Sequence, residues 1–161
     1  MRFTVRQVMT KRVVTIPTSA TVDEVFDLLL RHNVSGLPVV DEENRLVAVV
    51  SEADLFRLLD TPSSQSMPLS DLWTSDVIAV RADDTLPDVI DLFQEHQVRR
   101  FPVVDEAGKL IGVVSRRDVI RMIRDVRARV ASECKTLHER ATATAMAAAA
   151  AMAGAGAASD E

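Results

Sequence analysis

The sequence predicts an α/β (α+β) fold in which one β-α-β-β-α unit occurs twice and a C-terminal helical extension follows. The chain matches itself without a gap when it is shifted by 64 positions, which indicates one supersecondary unit made twice. Within each copy, short apolar runs alternate with segments whose apolar residues recur at helical spacing. One copy is too small to bury its own sheet well, so we expect the two copies to pack with pseudo-two-fold symmetry.

The elements of the unit follow in order from local patterns. Thr21 with Glu24, and Thr85 with Asp88, form the capping boxes that open a helix in each copy. In the second copy, Gly108 stands in the hairpin turn, where glycine can supply a positive φ. In the first copy we predict a strand, a helix, the two strands of a hairpin and a second helix at residues 13–16, 21–33, 37–40, 46–50 and from residue 52.

The chain divides into five parts. These are repeat 1 at residues 1–60, a linker at 61–70, repeat 2 at 71–125, an amphipathic helix at 126–140 and an Ala-rich low-complexity tail at 141–161. Apolar residues recur every three or four positions from Val119 to Leu137, opposite an arginine-rich face. This helix either pairs with a second copy or a partner, or folds back on its own domain.

The composition narrows the class of protein. The chain has 161 residues, of which 47% are apolar, and this is enough for one compact domain. Its net charge of −5 is mildly acidic, so we expect no nucleic-acid partner. The single cysteine, Cys134, excludes an intrachain disulfide, leaves a Cys/His metal site with too few ligands, and fits a reducing compartment such as the cytoplasm. Residues 141–159 are uncharged but lack Leu, Ile and Phe, so we expect no membrane segment.

Two motifs occur in register in both copies. Each copy has an apolar residue followed by Pro-Val-Val-Asp, and each ends its hairpin with Val-Val-Ser-x-x-Asp. Together with Val8-Met9-Thr10 at the start, these motifs resemble a tandem CBS domain pair, or Bateman module, over about residues 5–123. The resemblance implies two clefts between the repeats that take AMP, ADP, ATP or a related adenosyl ligand such as S-adenosylmethionine. It also implies a homodimer, with the adenine nucleotide as a regulatory ligand and no required cofactor.

Ser115 and Asp118 are the candidate ligand-binding pair of the second copy. A Ser-x-x-Asp sequence at a helix start is also an ordinary capping box, and the two roles are compatible. The resemblance implies that the carboxylate accepts hydrogen bonds from both ribose hydroxyls and that the serine positions the sugar or phosphate. Arg99 and Arg100 precede the Phe-Pro pair of this copy, and guanidinium groups bind phosphate in a forked geometry.

The first copy departs from this pattern. Ser51 and Asp54 are retained, but Ser35 and Gly36 replace the two arginines, and a Glu-Ala pair replaces the Arg-Arg pair after the serine. We therefore expect two unequal sites, the one built on Asp118 being stronger for anionic ligands.

The wall of each cleft comes, by the same resemblance, from the first strand of the opposite repeat. Val13 and Val14 would face the site of the second copy, and Val77 and Ile78 the site of the first. Their backbone groups would bind the edge of an adenine, although all four also suit a plain core strand.

The sequence contains no nucleophile-base pair, P-loop or metal motif, so we predict a protein that is not an enzyme. The leading hypothesis is a regulatory ligand-sensing module that signals to an effector protein or enzyme on another chain. The alternative is a dimerisation scaffold whose clefts are empty or vestigial.

Overall fold

The computed structural model describes residues 3–60 and 67–155 and contains the predicted unit in both copies. Repeat 1 consists of β1 (Ile16–Pro17), α1 (Val22–His32), β2 (Gly36–Val40), β3 (Leu46–Ser51) and α2 (Glu52–Phe56). Repeat 2 consists of β4 (Val80–Arg81), α3 (Leu86–Glu95), β5 (Arg100–Val104), β6 (Leu110–Ser115) and α4 (Arg116–Ala155). The two sheets, α1 to α3 and the first residues of α4 lie in one compact unit that extends to Val119, and a second unit begins at Ile120.

Each repeat forms its own three-stranded sheet with the same topology. The first strand pairs parallel with the second, and the second pairs antiparallel with the third. The hairpin register shifts at equivalent places, between Val39 and Val40 and between Val103 and Val104. The first strands are shorter than predicted, because only Ile16–Pro17 and Val80–Arg81 join the sheets. Residues 13–15 and 77–79 have no regular secondary structure.

Local signals set the helix start and the hairpin turns as predicted. The Glu24 N–H donates to Thr21 Oγ1 at 3.3 Å, and the Thr21 N–H donates to Glu24 Oε2 at 2.8 Å, which completes the capping box of α1. Gly108 has a φ of 75°, and Asn44 stands at the equivalent position of repeat 1 with a φ of 62°. Asparagine is one of the few residues besides glycine that tolerates this conformation.

The segment before the first strand of each repeat crosses to the sheet of the other repeat. Thr10 and Val113 exchange two backbone hydrogen bonds of 2.9 Å, and Thr74 and Val49 exchange bonds of 2.8 and 3.0 Å. Each pair is the other shifted by 64 positions, so the crossings are reciprocal. Leu69 belongs to the hydrophobic core cluster of repeat 1, which shows that this exchange also buries apolar side chains.

The tips of the two hairpins are joined in the same reciprocal way. The Leu46 N–H donates to the Gly108 carbonyl at 3.1 Å, and the Leu110 N–H donates to the Asn44 carbonyl at 2.9 Å. The Asn44 side-chain amide also donates to the Leu110 carbonyl at 2.9 Å. These bonds hold the two repeats about a pseudo-two-fold axis.

The second unit is the remainder of α4, which continues as one helix to Ala155. The helix runs through most of the segment expected to be a low-complexity tail, because alanine has the highest helix propensity. Every side chain from Arg127 to Ala150 is exposed. Within residues 3–60 and 67–155, no helix combines the length and the apolar character that a bilayer crossing requires.

Candidate functional site

Ser51 ends β3 and begins α2, and it is tied to Asp54. The Ser51 hydroxyl donates to Asp54 Oδ2 at 2.6 Å, and the Ser51 N–H donates to the same oxygen at 2.8 Å. Asp54 is half-buried. Because both bonds use Oδ2, the other carboxylate oxygen lies outside the capping interaction.

Ser115 and Asp118 repeat this arrangement at the start of α4. The Ser115 hydroxyl and N–H donate to Asp118 Oδ2 at 2.6 and 2.9 Å, and the Asp118 N–H donates to Ser115 Oγ at 3.2 Å. Asp118 is 9% exposed, so it is more deeply buried than its counterpart in repeat 1. The capping role that the sequence allowed for both Ser-x-x-Asp motifs is therefore present.

A cleft of about 450 Å³ lies between the two sheets. Four pairs of equivalent positions contribute to its wall, so the cleft spans the pseudo-two-fold axis. It extends further along repeat 1, towards the start of α2. Its lining consists of Ser35, Gly36, Pro38, Val49, Ser51, Glu52, Ala53 and Phe56 from repeat 1, and Gln97, Val98, Arg99, Arg100, Pro102 and Val113 from repeat 2.

The cleft contains charges of both signs on an apolar wall. Arg99, Arg100 and Glu52 are exposed. Among the residues that the structure describes, neither arginine forms an ion pair with this glutamate.

Three of the residues predicted from the sequence line this cleft: Ser51, Arg99 and Arg100. Asp54 lies directly behind Ser51, through the bond of 2.6 Å. The other predicted residues, which are Ser115, Asp118, Val13, Val14, Val77 and Ile78, are not part of its lining.

The grouping of the arginines differs from the expected one. Their backbone does neighbour the second-copy site, since Arg100 pairs with Ser115 across β5 and β6. The residues themselves line a cleft that they share with Ser51 and Glu52 of repeat 1. The reason is the pseudo-two-fold packing, which brings the start of β5 opposite the end of β3 and cannot be read from distance along the chain.

Arg116, which directly follows Ser115, closes the end of α3. Its Nη2 donates to the carbonyls of Phe93 at 2.6 Å and His96 at 3.1 Å. Its guanidinium also lies 5.6 Å from the centre of the Phe93 ring. A cation at a helix C-terminus satisfies carbonyls that have no partner within the helix.

The sequence did not single out a second, apolar groove on repeat 1. This groove has a volume of about 710 Å³ and is lined by Phe26, Leu29, Leu30, Glu52, Leu55, Phe56, Leu58 and Leu59. Leu30 is 79% exposed, Phe56 67% and Leu59 86%. The available signal was that α1 and α2 carry more apolar residues than one buried face of each helix requires.

Comparisons with known proteins agree with this architecture. The family model of the CBS domain matches the chain twice, at residues 5–61 and 70–125. A crystal structure of CBSX2 from Arabidopsis thaliana in complex with AMP is 37% identical, with a TM-score of 0.71, and the match covers 78% of this chain and 98% of that one.

Two archaeal relatives are longer than this chain. An uncharacterized protein of Methanocaldococcus jannaschii is 34% identical over 119 residues, and inosine-5'-monophosphate dehydrogenase of the same organism is 31% identical over 115 residues. The matches cover 74% and 71% of this chain. The chain spans 42% of the length of the first relative and 22% of the length of the second.

Proposed function

The chain belongs to the CBS domain family, and from this premise we propose that it is a regulatory module that binds an adenosine nucleotide in the cleft between its repeats. The main support for this proposal is the cleft, which combines apolar walls from both repeats with Ser51 and two arginines. AMP is the first candidate, because a protein 37% identical was crystallised with AMP. ADP, ATP and S-adenosylmethionine are the other ligands to test.

The lining suits the three parts of a nucleotide. A purine ring would contact an apolar surface formed by two pairs of equivalent residues. These pairs are Pro38 with Pro102 and Val49 with Val113. Arg99 and Arg100 supply forked donors for the phosphate. The ribose hydroxyls would donate to Asp54 through the carboxylate oxygen that Ser51 does not use.

We keep two sites of unequal strength but revise their order. Because the arginines line the cleft that reaches Ser51, we assign the stronger phosphate interaction to that cleft. The second site would use Ser115 and Asp118, with the backbone of the opposite repeat forming its adenine wall. The family resemblance implies that Val13 and Val14 would form this wall. In the same way, Val77 and Ile78 would form the adenine wall of the first site.

Calorimetric titration with AMP tests the assignment of the arginines. The variant Arg99→Ala/Arg100→Ala should bind AMP roughly 100-fold more weakly, because a hydrogen bond to a charged group contributes about 1.5 kcal/mol or more. Arg117→Ala is the matched control, since Arg117 is exposed but lies outside the cleft lining. An equal loss in this control would refute the placement. Folded protein, stripped of nucleotide, that binds none of the four ligands would refute the proposed function.

Conservative variants distinguish the two sites. Asp54→Asn and Asp118→Asn each keep an oxygen that can cap the helix, so both variants should fold. Each removes the charged acceptor for the ribose at one site only. We expect Asp54→Asn to weaken the tighter AMP site and Asp118→Asn the weaker one. If Asp118→Asn alone removes the tighter site, the sequence-based order is right and the revised order is wrong.

The proposed module would regulate an effector protein or enzyme. In the dehydrogenase relative, the part that aligns with this chain is 22% of the length. Ligand binding would favour one arrangement of the repeats or of their dimer, and an effector protein or enzyme would bind the arrangements differently. The exposed free thiol of Cys134 is consistent with a reducing compartment, and we place the protein in the cytoplasm.

We also propose a homodimer, formed through the apolar groove of repeat 1. Exposed leucines and phenylalanines concentrated on one face mark a protein contact. In sedimentation velocity, the Leu30→Glu variant should form dimers only at a protein concentration at least tenfold higher than the wild type needs. Gln94→Glu is the matched control, because Gln94 occupies the equivalent position of repeat 2. A dimer that withstands Leu30→Glu would refute this interface. A dimer without nucleotide binding would favour the scaffold alternative.

A further inference from the structure

The exposed part of α4 carries a continuous apolar stripe. At 100° per residue its members fall on one face of the helix. Ile123 is 49% exposed, Val130 53% and Leu137 65%. Spaced by three or four positions, the stripe consists of Ile123, Val126, Val130, Cys134, Leu137, Ala141, Thr144 and Ala148.

The side chains of the stripe are large near the start of the helix and small near its end. Up to Leu137 it is occupied by isoleucine, valine and leucine, with Cys134 among them, and from Ala141 onwards by alanine or threonine. Its spacing is also nearly the same from either end, so a copy reversed about the midpoint between residues 135 and 136 falls in register with it. The facing pairs are then Ile123 with Ala148, Val130 with Ala141, and Cys134 with Leu137, and Val126 falls one position away from Thr144. A large side chain meets an alanine in two of these pairs, Ile123 with Ala148 and Val130 with Ala141, which is how packed helix faces interdigitate.

The charges favour the same antiparallel direction. Residues 123–130 contain three arginines and one aspartate, whereas residues 141–155 contain no charged residue. The aspartate, Asp125, is already bonded to Arg124 at 2.8 Å. A parallel pair of helices would place two arginine-rich segments side by side, whereas an antiparallel pair places each beside an uncharged segment.

We propose that this stripe is a docking surface for α4 of a second copy of the chain, in the antiparallel direction. The facing segments, residues 123–148, are about 38 Å long at 1.5 Å per residue. The surface is distinct from the apolar groove of repeat 1, and its pairing does not depend on occupation of the nucleotide cleft.

Distances between spin labels on the full-length dimer test the direction. In a Cys134→Ser background, a single cysteine replaces Arg127, Lys135 or Ala143, all of which lie off the stripe. Antiparallel pairing predicts an axial separation of roughly 25 Å between the two labels at position 127 and a similar one at 143, from the 1.5 Å rise per residue. At position 135 the axial separation nearly vanishes. The expected result is therefore a minimum at the middle site.

Other patterns overturn the proposal. Equally short distances at all three sites would mean parallel helices. The absence of a minimum at position 135 would mean that the stripe is unpaired, or is covered by its own domain or by another protein. Leu137→Glu should abolish the short distance at position 135, whereas Met146→Glu, on the opposite face and 76% exposed, should leave it unchanged. Circular dichroism checks that both variants keep the helix. A short distance that survives Leu137→Glu also contradicts the proposal.

Discussion

Gly112 stands where the N-terminal segment of repeat 1 crosses β6. A Cβ atom at this position would lie 3.0 Å from Met9 Sδ and 3.0 Å from the Thr10 carbonyl oxygen. The methionine side chain can move aside. The carbonyl cannot move freely, because Thr10 is held by two hydrogen bonds of 2.9 Å to Val113. We therefore expect Gly112→Ala to push the crossing segment away from the sheet of repeat 2.

The size of this effect follows from the contacts. Overpacking a close contact costs about 1–3 kcal/mol, and we expect the two hydrogen bonds between Thr10 and Val113 to lengthen without breaking, so they add no separate cost. Replacing glycine by alanine also lowers the entropy of the unfolded chain, which offsets about 0.4–1 kcal/mol. The free energy of unfolding should therefore fall by about 1–2 kcal/mol.

Equilibrium urea unfolding measures this change, with Gly36→Ala as the matched control. Gly36 is also in a hairpin strand, but a Cβ atom there would meet its nearest neighbour, the Val50 carbonyl oxygen, at 3.3 Å. We expect this variant to stay within about 0.5 kcal/mol of the wild type. If Gly112→Ala is as stable as the wild type, or if both variants lose equally, the crossing segment does not constrain position 112.

Three further substitutions test other contacts by the same unfolding measurement. Asn44→Ala should cost about 2 kcal/mol, because it loses the bond to the Leu110 carbonyl and puts alanine at a φ of 62°; Asn44→Gly, which relieves only the backbone, should cost about half as much. Arg116→Ala should lower the free energy of unfolding by about 1–2 kcal/mol, because the carbonyls of Phe93 and His96 lose their donor. The control Arg117→Ala should lower it by less than about 0.5 kcal/mol. Phe101→Ala should cost about 3–5 kcal/mol, since this ring is 1% exposed and stacks in the core of repeat 2.

The features that sequence reasoning predicted well are encoded over a few residues. The capping box of Thr21 and Glu24, the positive φ of Gly108 and the order of the elements all depend on short-range patterns. The long helix was only partly anticipated, because glycine and threonine near its end weaken the local signal while the surrounding alanines sustain the helix.

The first strands show where such patterns stop being informative. An apolar run at residues 13–16 predicts a strand over its whole length, yet only Ile16 of that run pairs with β2. The chain just before it is held by Val113 of the other repeat. Pairing with a strand about a hundred residues away leaves no periodic signal near Thr10, so the exchange between repeats could not be inferred from the run itself.

The two copies differ at some of the positions that line the cleft and are identical at others. Equivalent positions face one another across the pseudo-two-fold axis, so identical pairs such as Pro38 and Pro102 form matching walls. Where the copies differ, Arg99 and Arg100 occupy positions whose counterparts in repeat 1 are a serine and a glycine.

Arginines at all four positions would crowd the cleft and repel one another, whereas small residues on one side leave room beside the guanidinium groups. A nucleotide is itself asymmetric, with an apolar base at one end and an anionic phosphate at the other. A strictly symmetric pair of repeats would offer both ends of such a ligand the same surroundings on the axis. If the cleft binds a nucleotide as proposed, the divergence of repeat 1 from repeat 2 would allow it to distinguish the base from the phosphate.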